Sequence, residues 1–262
     1  MLSSLLVFLL SGLLPAFSQQ SLFQEKEFIT SNGQPLPYRI LFPESMEPGE
    51  SYPVVLFLHG AGERGNDNEK QLIHGSSLFL DAENREKYPA IVVFPQCPEN
   101  EWWSPTEIVG MIRTADQQSI PNDYDASEAM QSVMELIAIL RQDPVTDTTR
   151  MYVMGLSMGA FGIFDLLHRQ PQWFAAAVPI CGGGDQSKAA VYADDVPLWI
   201  FHGSEDSVVP VEASRAMKEA VEKAGGTVRY TEYEGVDHNS WDPAFAEPEL
   251  LPWLFSHKRK TN

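Results

Sequence analysis

Cysteine, basic residues and long apolar runs are all scarce in this chain. Two cysteines in 262 residues, Cys97 and Cys181, cannot staple a disulfide scaffold. The six histidines are scattered, with no His-x-x-x-His and no Cys-x-x-Cys, so no metal site is expected. Eighteen Lys and Arg stand against 36 Asp and Glu, a formal charge of −18. That balance argues against nucleic acid and anionic membrane surfaces as partners. The basic end His257-Lys258-Arg259-Lys260 reads as a frayed tail. The apolar stretch Leu2 to Leu14 is short of the roughly 20 residues that span a bilayer, so no membrane partner is expected. Ala16-Phe17-Ser18 after it fits a small-x-small cleavage site before Gln19, and no cysteine follows for lipid attachment. Residues 1–18 therefore read as a cleaved signal peptide, although no Lys or Arg precedes the apolar core; a buried N-terminal helix is the alternative. The protein is then expected to be secreted or periplasmic. No Gly-x-x-x-x-Gly-Lys-Ser/Thr occurs, and the glycine run Cys181-Gly182-Gly183-Gly184-Asp185 is not a phosphate cradle. No cofactor is expected.

What remains, residues 19–262, suits one large α/β domain with one core. Gln24 to Thr30 and Pro35 to Phe42 flank Ser31-Asn32-Gly33 as a β-hairpin. Apolar, β-branched runs follow at Val54–Leu58, Ala90–Phe94, Met151–Met154, Ala175–Ile180, Pro197–Phe201 and Thr227–Tyr233. Helices are expected between them at Glu69–Leu80, Asp125–Arg141, Ala160–Leu167 and Val211–Ala224, the last ended by Gly225-Gly226. A final helix is expected over Pro243–Ser256. Strands alternating with helices imply a doubly wound, mostly parallel sheet covered on both faces, with an N-terminal antiparallel hairpin. In such a sheet the strands ending near Cys97 and Cys181 stand three spacings of about 4.8 Å apart, roughly 14 Å. A disulfide needs Cα atoms within about 7 Å. Two free thiols are expected.

The chemistry lies in the loops that follow these strands. Gly155-Leu156-Ser157-Met158-Gly159 falls between a strand and a helix, the setting of a nucleophile elbow. Glycine at both flanks relieves clashes in a tight turn, and the helix N-terminus behind Ser157 offers backbone N–H groups to a developing negative charge. A serine oxygen needs a base to take its proton. Two later strand ends supply candidates, His202-Gly203-Ser204-Glu205-Asp206 and Asp237-His238-Asn239. In the order Ser157, Asp206, His238, the histidine takes the serine proton and Asp206 fixes its tautomer. Glu205, adjacent to Asp206, is the other candidate acid. Val54–Leu58 runs into His59-Gly60-Ala61-Gly62, which assigns oxyanion-hole N–H groups to Ala61 and Met158. His59 and His202 read as structural residues at strand ends. Gln96 to Tyr124 is the least regular stretch and follows a strand end, where lids and substrate walls form. Trp102 and Trp103 within it, and Trp241 near His238, either line a substrate pocket or pack loops onto the core.

These residues resemble the α/β-hydrolase superfamily over nearly all of 19–262. His-Gly-Ala-Gly, Pro-Gln-Cys-Pro followed by Trp-Trp, Gly-Leu-Ser-Met-Gly-Ala, Pro-Ile-Cys-Gly-Gly-Gly-Asp and Asp-His-Asn-Ser-Trp resemble an exported bacterial phospholipase/carboxylesterase branch. That branch is variously labelled dienelactone-hydrolase-like or predicted peptidase, and is similar to feruloyl and acetyl xylan esterases and polyhydroxybutyrate depolymerases. Dienelactone hydrolases proper use a cysteine nucleophile where this chain has Ser157. The resemblance implies Ser157, Asp206 and His238 as a triad, its His-Gly-x-x-Asp pattern favouring Asp206 over Glu205. The expected function is an exported serine carboxylic-ester hydrolase working through an acyl-enzyme. Small-molecule or polysaccharide esters, acetyl or feruloyl, are the preferred substrates. A serine peptidase of prolyl-oligopeptidase-like type is one alternative, and a non-catalytic binding protein on the same fold is the other.

Overall fold

The computed structural model describes residues 20–259; the expected signal peptide lies outside them. Eight strands form one sheet in the order β1-β2-β4-β3-β5-β6-β7-β8. β1 (Gln24–Ile29) and β2 (Pro35–Leu41) make the antiparallel hairpin, and β2 pairs antiparallel with β4 (Ile91–Pro95). From there the sheet is parallel through β3 (Tyr52–Leu58), β5 (Thr146–Leu156), β6 (Ala176–Ile180), β7 (Leu198–Gly203) and β8 (Val228–Tyr233). The central strands β3, β4, β6 and β7 are buried almost end to end, which is why they read as unbroken apolar runs. β8 is an edge strand with only β7 beside it, and it is mostly half-buried. One core cluster lies on each face. The first includes Leu56, Leu58, Met130, Val133, Ile163 and Leu167, and the second Phe57, Phe94, Met154, Trp199, Phe201 and Leu254.

Several elements differ from expectation for physical reasons. The helix expected over Glu69–Leu80 is a 3-10 turn at Lys70–Leu72 followed by α1 (Ser76–Leu80). Gly75 breaks it at φ +82°, where its backbone presses on the Phe57 ring; a Cβ there would stand 2.6 Å from that ring. A further helix, α2 (Ala82–Lys87), is capped by Asp81, whose carboxylate accepts the Asn84 N–H. The irregular stretch holds α3 (Thr106–Arg113), which buries Ile108, Val109 and Ile112. α4 (Glu128–Leu140), α5 (Met158–Arg169) and α7 (Glu212–Lys223) fall where helices are expected, and the four-residue α6 (Ala189–Tyr192) is extra. The last expected helix is two pieces, α8 (Trp241–Phe245) and α9 (Leu250–Ser256). Cys97 and Cys181 are free and buried.

Candidate active site

Ser157 sits between β5 and α5 with φ +52° and ψ −118°, a left-handed conformation that a serine adopts only under constraint. The constraint comes from β3. A Cβ on Gly159 would stand 1.9 Å from the Leu58 carbonyl oxygen, and one on Gly155 2.5 Å from the same atom. The two glycines are thus required by the neighbouring strand's end, beyond the turn itself. The Ser157 N–H donates to the Ile180 carbonyl at 2.8 Å, fixing the elbow to β6 as well.

The structure brings the three predicted residues into series. Ser157 Oγ lies 2.9 Å from His238 Nε2, and His238 Nδ1 lies 2.7 Å from Asp206 Oδ2. A carboxylate can only accept, so the Nδ1 proton belongs to His238 and its Nε2 is free to accept from Ser157. The Asp206 side chain is wholly enclosed, while that of His238 is 18% exposed. Asp206 Oδ1 accepts the Val208 and Val209 N–H groups at 2.9 and 2.8 Å. Burial pushes the Asp206 carboxyl up, but hydrogen bonds from His202, His238 and these two amides outweigh it and hold it well below the usual carboxylate range. Glu205 is exposed. The relay can take a proton from Ser157 and stabilise the imidazolium that results.

His202 has a larger part than a strand-end residue. Its Nε2 stands 3.1 Å from Asp206 Oδ2 and 3.0 Å from the Val209 carbonyl, so Nε2 donates. Its Nδ1 meets Ser214 Oγ at 2.7 Å, and Ser214 Oγ in turn is 2.8 Å from the Gly182 carbonyl. Two imidazoles therefore share one carboxylate oxygen. The sequence signal is the spacing: His202 and Asp206 bracket a tight turn at one strand end.

The loop after β3 is fixed by side chains that the sequence left ambiguous. Burial drives His59 down to about 4, so it is neutral. Its Nδ1–H donates to the Gly60 carbonyl at 2.6 Å, and its Nε2 accepts the Cys97 N–H at 2.9 Å. Arg64 Nε donates to the Ala61 carbonyl at 2.9 Å, and the guanidinium lies 5.2 Å from the Trp102 ring centroid. Among the described residues, neither the Ala61 nor the Met158 N–H has a protein acceptor. Both remain available to a ligand, and the helix dipole of α5 reinforces Met158.

Trp103 is a correction. It is completely buried, so it presents no face to a substrate. Its Nε1–H donates to the His59 carbonyl at 3.0 Å, and a Cβ on Gly162 would hit its Cβ at 2.5 Å. It clamps the β3 loop to α5. Trp102 is half-buried and borders an open cavity of about 570 Å³ between α3 and the start of α4. Trp241 stands edge-on to His238, ring centroids 5.6 Å apart. α3 packs Ile108, Val109 and Ile112 with Phe161, Val209 and Ala213, and Arg113 donates to the Val208 carbonyl at 2.6 Å. The expected wall is thus a short helix tied to the acid loop. Cys181 Sγ also lies within 4.8 Å of ligand atoms of Asp206 and His238. Those two are hydrogen-bonded to each other, and burial holds the thiol above its usual range, so the donor set is that of a proton relay rather than a metal cage.

A profile of the phospholipase/carboxylesterase family matches residues 45–247. Carboxylesterase SOBER1 of Arabidopsis thaliana is 24% identical over 196 residues, 71% of this chain and 82% of its own. A crystal structure of a thermostable esterase superposes with a TM-score of 0.82 at 37% identity, covering 92% of this chain. This chain spans 64% of that esterase's length. A ferulic acid esterase shares the fold, with a TM-score of 0.63 at 15% identity over 89% of this chain and 97% of its own.

Proposed function

Since this chain belongs to the phospholipase/carboxylesterase family, we propose that it is a serine carboxylic-ester hydrolase with Ser157 as nucleophile, His238 as base and Asp206 as its orienting acid. The observation that supports the reading is the unbroken hydrogen-bond series from Asp206 Oδ2 through His238 to Ser157 Oγ. His238 removes the serine proton as Ser157 Oγ attacks the ester carbonyl. The Ala61 and Met158 N–H groups receive the oxyanion. His238 then protonates the leaving alcohol, and water activated by the same imidazole cleaves the acyl-enzyme. The preferred substrates are acetyl or feruloyl esters of polysaccharides, met outside the cytoplasm after removal of residues 1–18.

The test is a panel of p-nitrophenyl acetate, butyrate and octanoate, methyl ferulate, acetylated xylan and a peptide p-nitroanilide, with Ser157→Ala as control. Acetyl or feruloyl cleavage lost in the variant is expected. Residual turnover in Ser157→Ala overturns the mechanism, and anilide cleavage above ester cleavage makes the protein a peptidase. Export is tested by sequencing the N-terminus of protein recovered outside the cytoplasm, expected to begin at Gln19.

A further inference from the structure

One carboxylate at the edge of this site makes no side-chain hydrogen bond among the described residues. Glu63, four residues after His59, is only 8% exposed. Its sole side-chain partner among the described residues is His74, whose Nε2 stands 3.8 Å from Oε1, beyond hydrogen-bond range. Oε2 has none. Neither oxygen is among the fully buried polar atoms without a partner, and the side chain is 10% exposed, so the carboxylate is reachable from outside. Oε2 lies 2.9 Å from where a Gly60 Cβ would stand, and Ser157 Cβ lies 3.7 Å from that same point. Glycine at position 60 is what lets the carboxylate approach the nucleophile across the oxyanion loop.

Glu63 is also one end of a continuous wall. The His74 ring lies 5.1 Å from that of Trp241, and Trp241 stands edge-on to His238. The wall therefore runs from the oxyanion loop to the imidazole that protonates the leaving alcohol. A substrate whose alcohol side lies along this wall can offer the carboxylate a hydroxyl donor.

We propose that Glu63, with His74 and Trp241, forms a subsite that accepts a hydrogen bond from a hydroxyl group neighbouring the scissile ester on the alcohol moiety, as on a sugar ring. The chemistry of the three side chains matches a polyol. Glu63 accepts, His74 donates or accepts, and Trp241 offers an apolar edge to ring C–H groups. A cation would instead want several aromatic faces turned toward it. The assignment rests on Ser157 being the nucleophile, and it deepens the esterase reading by naming what the alcohol must carry.

The experiment compares kcat/KM for a monoacetylated methyl xyloside with that for its deoxy analogue, which lacks the neighbouring hydroxyl, in wild type, Glu63→Met and His74→Ala. Acetylcholine is a third substrate. A hydrogen bond to a charged acceptor corresponds to a preference of roughly ten- to hundredfold for the hydroxylated ester. In Glu63→Met that ratio is expected to fall toward one, and in His74→Ala to fall partway. If Glu63→Met does not fold, the partly exposed His74 position carries the test. An unchanged ratio in the folded variants overturns the proposal, and so does selective loss of acetylcholine turnover, which assigns the carboxylate to a cation. Ser157→Ala separates the two levels. An unchanged ratio alongside an inactive Ser157→Ala defeats the subsite alone, whereas an active Ser157→Ala defeats the esterase mechanism beneath it.

Discussion

Asp206→Asn discriminates between a working relay and a merely compact cluster. The carboxylate receives four hydrogen bonds, two backbone N–H groups on Oδ1 and two imidazoles on Oδ2. An asparagine of the same shape has one acceptor oxygen and one NH2. If the oxygen turns to the imidazoles, the NH2 faces the Val208 and Val209 N–H groups and leaves both unpaired, about 1–3 kcal/mol each. If the oxygen stays on the amides, the NH2 faces His202 and His238. His202 keeps the Val209 carbonyl as acceptor, so only His238 must respond. The second orientation is therefore favoured. It forces the His238 proton onto Nε2, where it points at Ser157 and blocks proton transfer. A wrong tautomer of this kind lowers turnover about 10⁴-fold, or about 5 kcal/mol of transition-state stabilisation. The assay is kcat on p-nitrophenyl acetate, normalised to sites labelled by a fluorophosphonate in wild type. Thermal unfolding is expected to come at a lower temperature as well, because the hydrogen bonds to the carboxylate contribute to stability, so turnover is measured well below the transition. Glu205→Ala, at the exposed neighbour, is the control and should stay within about twofold, as for ordinary surface changes. A kcat in Asp206→Asn within tenfold of wild type refutes the relay.

Three further outcomes follow from the geometry. Gly159→Ala places a methyl 1.9 Å from the Leu58 carbonyl and is expected to cost at least about 3 kcal/mol, the upper end of ordinary overpacking; wild-type melting and turnover in this variant would show the elbow to be looser than described. Trp103→Ala removes a fully buried ring and is expected to destabilise by about 3–5 kcal/mol in urea titration, with turnover falling further because the β3 loop loses its clamp; a loss in stability without one in kcat separates the two roles. The Asp206 carboxyl is held lower in the folded chain than in the unfolded one, where it titrates near pH 4. Its contribution is full above about pH 4 and is lost as pH falls toward the folded value, so the urea midpoint should drop as pH is lowered below about 4, by less in Asp206→Asn.

Sequence reading works best where one physical rule dominates. β3, β4 and β7 are buried on both faces, and their runs Val54–Leu58, Ile91–Phe94 and Leu198–Phe201 admit no other periodicity. Ser157, Asp206 and His238 are legible because the loops after successive parallel strands all open at one end of the sheet. Residues whose role depends on a three-dimensional neighbour are not legible. Gly75 interrupts the helix expected over Glu69–Leu80 at a left-handed turn pressed against the Phe57 ring, just before Ser76–Leu80. α3 is eight residues long with Gly110 inside, and it is held by Phe161 and Val209 rather than by its own propensity. The first five residues of β5, Thr146 to Arg150, are polar and join the sheet at its bulged end opposite Tyr52. Trp102 and Trp103 are identical neighbours in sequence, yet one borders a cavity and the other locks a loop. His202 and Glu63 acquire meaning only from what stands beside them.

The position of β8 has a consequence for how the protein wears out. Ser157 rests on the central strands, whereas His238 hangs from a loop anchored to the sheet's last strand. Gly203 lies so close to that loop that a Cβ would meet the Val236 carbonyl at 2.2 Å, and the Ser204 and Glu205 N–H groups tie it through the Tyr233 and Val236 carbonyls. β8 has a strand on one side only and is tied beyond it by the Arg215–Glu232 and Arg229–Glu249 ion pairs and the Tyr233–Glu247 hydrogen bond, and edge elements open locally at lower free energy than the global transition. Separation of β8 from β7 detaches His238 from Ser157 while β3, β5 and β6 stay paired. On the proposed mechanism, activity is then expected to be lost at a lower temperature than the fold, and an activity assay to read the temper of one seam rather than of the whole sheet.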